Sequence, residues 1–364
     1  MFAQPRHDRR RFLGMAALSL GAAWIGTRDS VRHMIYVKAF RPSGASDLAS
    51  LGGATAWLNS PPLAAADLQG KVVLVDFWTY TCINWLRTVP YIRAWAARYK
   101  EQGLVVIGVH TPEFSFEEDV DYVRGAAKER GITYPIAVDN RRAIWSGFGN
   151  HYWPALYFVD RTGRVRDHHF GEGNYEESEM RIRQLLSDAG SDAGTHYGVT
   201  SFEATGPEVG ADWATLKSPE TYLGHQRAEN FASPSRGALN RRHAYAIPSR
   251  LRLNQWALCG DWTMKNESAA LNATGGRIAF RFHARDVHLV MGSAERGRAV
   301  RFRVRIDGHA TGASHGTDTD EQGHGTVSEP RLFQLIRQAG AVVERQFEIE
   351  FFDSGVEVFA FTFG

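Results

Sequence analysis

The sequence predicts an α/β sandwich followed by an all-β sandwich, and three observations carry that reading. Val72–Phe77, Leu104–His110 and Ala155–Asp160 are short, largely apolar runs of the kind buried on both faces of a sheet, and stretches of helical character lie among them. Further along, the period falls to two. Val300, Phe302, Val304 and Ile306 alternate with Arg301, Arg303 and Arg305, and Phe347, Ile349 and Phe351 alternate with Glu348 and Glu350. Between these patterns, Ser187 to Asp212 is rich in Gly, Ser, Ala and Thr without periodicity, which marks a connection. The expected organisation is a leader over 1–33, a linker over 34–56, an α/β domain over 57–190, a second linker over 191–217 and a β-sandwich over 218–364.

At 364 residues, 43% apolar and 23% charged, the chain is long enough for two domains with full cores. A formal charge of +2 is too weak to imply nucleic acid or an anionic membrane surface as partner. Two distant cysteines, Cys82 and Cys259, make neither a disulfide framework nor a zinc-ligand spacing, and no metal or cofactor is expected.

In chain order, Asp8-Arg9-Arg10-Arg11-Phe12-Leu13 resembles a twin-arginine export signal, and the apolar run Phe12–Gly26 is too short to span a bilayer comfortably. The resemblance implies export to the periplasmic or extracytoplasmic side of a bacterial plasma membrane. No clean small-residue cleavage site follows, so the leader is either removed or kept as an anchor. Ser43–Ala56 reads as a flexible lead-in. After the Val72–Phe77 strand, Cys82 stands where apolar residues begin to recur at helical spacing (Ile83, Leu86, Val89), and Tyr91–Tyr99 continues that helix. Phe116–Arg130 is amphipathic with an acidic start and predicts one helix. Tyr134–Val138, Ala155–Asp160 and Val165–Phe170 predict strands, and Tyr175–Ala189 a closing helix. In the second half, Gly276–Phe282, Val300–Ile306, the run around Phe347–Phe351 and Val356–Phe363 predict strands.

Cys82 is the candidate nucleophile. A cysteine at a strand-to-helix junction faces unpaired N–H groups and the positive end of the helix dipole, which favour thiolate over thiol. The surrounding run, VVLVDFWTYTCINWLRTVP over 72–90, resembles the active-site region of thioredoxin-fold redoxins, most of all the TlpA/DipZ-type extracytoplasmic branch. The resemblance matches Asp76 to the family's buried acid, Trp78 to its aromatic and Pro90 to the proline of the active-site helix. It matches Pro154, preceded by Trp153, to the cis-proline that faces the active cysteine. It implies a short first hairpin within Trp57–Ala66. Through Ser218–Gly224 (SPETYLG) and Asn230-Phe231-Ala232 it implies a jelly-roll, carbohydrate-binding-module-like second domain. One departure limits all of this: the family's C-x-x-C reads Cys82-Ile83-Asn84-Trp85. A dithiol cycle within the motif is impossible, and the acid at 76 loses the second cysteine that family members have it deprotonate.

The leading expectation is therefore a monothiol thiol–disulfide oxidoreductase that acts on protein thiols or disulfides through Cys82. The membrane-embedded part of DipZ proteins has no counterpart in an apolar run here, so electrons are expected from a separate membrane donor. A second reading is a redox-inactive scaffold, in which Trp78, Trp85 and Trp153 form an aromatic surface and the β-sandwich binds glycan or protein. A third is a thiol peroxidase, for which Thr79 has the right spacing but Val75 stands where that family has proline. Cys259 reads as a packed core thiol before it reads as a resolving partner. Asp318, Asp320 and Glu329 nearly match a calcium loop, but without flanking helices a solvated acidic turn is expected. The arginine row of 300–306 reads as a solvent-facing strand surface that an anionic glycan would also suit.

Overall fold

A computed structural model describes residues 47–364, apart from 192–197, 199, 202 and 236. The expected leader and the first part of the 34–56 segment lie outside the described residues.

The first domain is a thioredoxin-like α/β sandwich. Its strands are β1 (Ala56–Leu58), β2 (Val72–Trp78), β3 (Leu104–His110), β4 (Ile136–Val138), β5 (Ala155–Val159) and β6 (Val165–Phe170). Its helices are α1 (Ile83–Arg98), α2 (Val120–Glu129), α3 (Ala143–Gly147) and α4 (Tyr175–Asp188). The sheet runs β1-β4-β3-β2-β5-β6, with β2 parallel to β3 and antiparallel to β5. Every residue of β2 is buried, which is why it reads as an apolar run broken only by Asp76 rather than as an alternating one. Phe77 pairs with Ala155, so the register sets Pro154 level with Trp78 at the exit of β2.

Three local expectations change. The first hairpin is absent: β1 pairs β4, and the prolines at 61 and 62, which have no N–H to give a ladder, lead into a 3₁₀ turn at Ala65–Leu68. The lead-in is packed rather than free, since Asp47–Gly53 forms a 3₁₀ helix that buries Leu48 and Leu51. The helix expected over Phe116–Arg130 splits into a 3₁₀ turn at Ser115–Glu118 and α2. Asp119 caps α2 by accepting a bond from Asp121 N at 2.8 Å. Within the second linker, Thr200 N donates to Glu179 at 2.7 Å and Glu208 faces Arg93.

The second domain is all-β. Its strands are β7 (Thr221–Tyr222), β8 (Arg242–Tyr245), β9 (Trp256–Met264), β10 (Ala269–Leu271), β11 (Gly276–Phe282), β12 (Asp286–Ser293), β13 (Val300–Ile306), β14 (His324–Val327), β15 (Arg331–Arg337), β16 (Arg345–Phe351) and β17 (Val356–Phe363). They form one antiparallel path, β14-β13-β16-β11-β9-β10-β17-β12-β15, curled around a core of its own. β9 links the two halves: Trp256–Cys259 pairs β11, and Trp262–Met264 pairs β10. The change of partner falls at Gly260, whose φ of +99° suits glycine alone.

The two domains share an apolar cluster. Trp78, Tyr80, Ile83, Trp85 and Phe114 from the first domain join Val290, Leu332, Phe359 and Ala360 from the second. Phe359 lies against Phe114 and Phe116, with ring centroids at 5.2 and 4.6 Å. Arg87 of α1 is buried beneath the second domain, where it pairs with Glu172 at 2.9 Å and donates to Phe363 O at 3.4 Å.

Candidate active site

Cys82 is the N-cap of α1 and half-buried. Its N–H donates to Thr79 O at 3.2 Å, and its carbonyl accepts from Leu86 N at 3.0 Å to begin the helix. Pro90 sits inside α1, where it cannot donate to the carbonyl four residues earlier. The Trp153–Pro154 bond is cis.

Trp85 occupies the place of the second thiol and is fully buried. Its indole stacks on Trp78, centroids 4.3 Å apart and planes 21° from parallel. Its Nε1–H donates to Asp76 Oδ2 at 3.2 Å. The acid that loses a thiol therefore keeps a donor. Asp76 is itself fully buried, and its other oxygen has no partner. Burial raises its pKa to about 7, against the Trp85 hydrogen bond, which lowers it.

This geometry overturns the aromatic-surface reading. Trp78 and Trp85 have no exposure at all. Trp153 packs in a different cluster, 4.3 Å from Trp145, and its Nε1–H donates to Thr111 O at 3.1 Å. Trp85 and Trp153 each turn the indole N–H to an internal acceptor, while Trp78 is held by stacking on Trp85, its own N–H without a partner.

The expected thiolate is also outweighed. Burial is the largest influence on Cys82. The N–H groups of Trp85 and Asn84 favour the charged form, as a helix start should, while the carboxylates of Glu220 and Glu113 oppose it. A helix dipole is worth about 0.3–1 kcal/mol, less than one pKa unit, whereas desolvation reaches several units. The thiol is held well above its ordinary value.

Several residues near the thiol escaped the sequence reading. Glu117 is fully buried, accepting from Thr81 Oγ1 at 2.6 Å and from the N–H groups of Glu113 (2.6 Å) and Phe114 (3.0 Å). Burial lifts it to about 7. His110, buried between Trp78 and Tyr80, is pushed down to about 3 by desolvation and stays neutral. From the second domain, Tyr222 Oη donates to Glu113 Oε1 at 2.7 Å and lies 2.9 Å from Glu220 Oε2. Arg227 reaches Glu113 Oε1 at 2.8 Å and lies 3.2 Å from the centre of the Tyr222 ring. Glu220 and Tyr222 belong to the SPETYLG stretch, which signalled them only as a mark of resemblance.

Of the remaining candidates, Thr79 lies next to Cys82 through its carbonyl and is fully buried. Cys259 is not a packed core thiol. It is half-buried on β9 opposite Arg277, whose Nη2 is 3.5 Å from its sulfur, while the neighbouring Leu258 turns into the core. The acidic turn is closed by its own bonds: Asp318 accepts from Arg331 and Gln334 N, and Asp320 from Gln322 N and His324 N. In the arginine row, Arg301 pairs with Asp353 at 2.9 Å and Arg303 donates to Gln322 O at 3.2 Å.

Comparison with known proteins gives two family matches, Redoxin over residues 58–186 and the Thioredoxin like C-terminal domain over 218–364. Protein DipZ of Mycobacterium tuberculosis is 38% identical over 331 residues, 88% of this chain and 44% of its own length. The chain thus spans less than half of that relative. Thiol-disulfide oxidoreductase YkuV of Bacillus subtilis is 31% identical over 138 residues, 38% of this chain and 93% of its own. The solution structure of a thioredoxin-like protein in the oxidized form is 31% identical, covering 37% of this chain and 90% of that one, with a TM-score of 0.35.

Proposed function

Because the chain belongs to the redoxin family of thioredoxin-like thiol–disulfide oxidoreductases, with a second domain of the DipZ type, we propose that it exchanges disulfides through one sulfur, that of Cys82. Cys82 loses its proton to solvent and its sulfur bonds to one sulfur of a substrate disulfide. The substrate S–S bond breaks, and the leaving sulfur departs as thiolate and takes up a proton. The result is a mixed disulfide. The observation that carries this reading is the burial of Trp85 on Asp76, which leaves the helix start with one thiol and no internal means of release.

A thiol from outside must then resolve the adduct, through a separate protein or a small thiol. The substrates are protein disulfides, and the site of action is extracytoplasmic, which the leader's resemblance to an export signal supports.

The test is capture by mass. The full chain, incubated with an excess of a small disulfide and no added thiol, should take up one equivalent at Cys82 and stop. Added thiol should release it and restart uptake. Cys82→Ser should abolish the adduct. Uptake at Cys259 alone, or continuous turnover without added thiol, would overturn the reading.

A further inference from the structure

The second domain does more than cover the first: it brings charge to the thiol. Cys82 and Tyr222 pack against the same apolar cluster shared by both domains. Tyr222 links Glu220, its close neighbour in sequence, to Glu113 on the loop after β3, and these two carboxylates both act on the Cys82 sulfur. Beside them opens a cavity of about 130 Å³ between the domains, lined among others by Glu113, Tyr222, Arg227 and Glu267. Glu267 accepts from Ser115 N at 3.1 Å. Three carboxylates thus face one guanidinium. Of the other charged groups nearby, Arg87 pairs with Glu172 and Arg296 with Asp119, burial raises Asp76 and Glu117 to about 7 so that each is only partly ionised, and His110 stays uncharged.

We propose that the Glu113–Tyr222–Glu220 cluster, assembled across the two domains, selects disulfides that carry positive charge for exchange at Cys82. This rests on the exchange reading above and adds the substrate class to it. A cation seated on the two carboxylates gains their attraction, and it also neutralises the charge that opposes thiolate at the sulfur. Binding and activation are coupled, so a basic substrate is favoured twice. An anionic disulfide meets the same carboxylates as repulsion and leaves the thiol protonated. Burial and Glu113 push the Glu220 carboxyl up, and a cation seated beside it shifts it back toward the ionised form.

Three disulfides of similar size and different charge test this: cystamine, 2-hydroxyethyl disulfide and 3,3′-dithiodipropionate. The rate of adduct formation at Cys82 in the full chain, read by mass spectrometry, should fall in that order. At low salt roughly tenfold or more should separate the ends, narrowing as salt screens the charges. Glu113→Gln and Glu220→Gln should each compress the series, and Arg227→Gln should widen it. Loss of fold would move all three variants alike, so opposite effects of the carboxylate and guanidinium changes are the signature. Equal rates for the three disulfides, or a series that no variant alters, would overturn the proposal and leave exchange at Cys82 standing. No adduct with any of the three would overturn the exchange reading and this proposal together.

Discussion

Asp76→Asn isolates the buried acid that holds the Trp85 indole. The change keeps an oxygen to accept from the Trp85 indole and removes the ionisable proton. In the folded chain Asp76 titrates near 7 against an ordinary value of 3.8, because it is buried. Between those values the folded state holds a proton that the unfolded state has released. Stability from this group is therefore complete below the unfolded value and is lost as the pH rises through 7. Three units at about 1.4 kcal/mol each give a loss of up to about 4 kcal/mol. The variant lacks this term at every pH. Its amide nitrogen inherits the position of the unpartnered oxygen, at a pH-independent cost of about 1–3 kcal/mol. The informative quantity is thus the change in the difference, not its absolute value. Urea unfolding of both proteins at several values from pH 4.5 to 8 should show the variant gaining roughly 2–4 kcal/mol relative to the parent as pH rises. Glu117 contributes a slope of the same sign, and this cancels in the comparison. A difference that stays flat to within about 0.5 kcal/mol, with unchanged m-values, would refute a buried acid with a raised pKa.

Other outcomes follow from the same geometry. Trp85→Cys should supply the missing thiol and give turnover in dithiol-driven insulin reduction, where the parent should show none. Removing a fully buried indole should cost about 3–5 kcal/mol, so activity and melting temperature must be read together. Parent turnover that survives Cys82→Ser would sink the assignment of Cys82. The iodoacetamide rate at Cys82 should still be rising at pH 9, since burial and two carboxylates hold the thiol up; a plateau below pH 7 would contradict that. The fragment 218–364 should fold cooperatively around its own core, yet self-associate through the uncovered Val290, Leu332 and Phe359, as sedimentation would show. A molten fragment would mean that the core is not independent, and a cleanly monomeric one that the shared cluster is not a strong apolar patch.

What the sequence disclosed depended on which surfaces each element shows to water. β11, β13 and β16 have one solvated face, and their two-residue alternation predicts their bounds almost to the residue. β12 and β15 were missed because they have no such face. The curled core lies on one side and the first domain on the other, so β12 is buried along all but its last residue and alternates nothing. The site divides in the same way. Asp76, Trp78, Cys82, Pro90 and Pro154 were legible because their spacing is local to one strand–helix unit or one strand start. Glu220 and Tyr222 stand more than a hundred residues from Cys82, and no local pattern joins them. Trp85 is the instructive case, because a motif counts it only as a lost sulfur. Physically, the loss leaves a carboxyl with no exposure and a vacant place beside it, and most side chains that fill the volume supply no donor there. An indole fills the space by stacking on Trp78 and turns an N–H toward the acid. Volume and hydrogen bond together explain why a large aromatic is tolerated at the second position of the motif, where an apolar side chain of the same size would leave Asp76 buried without a partner.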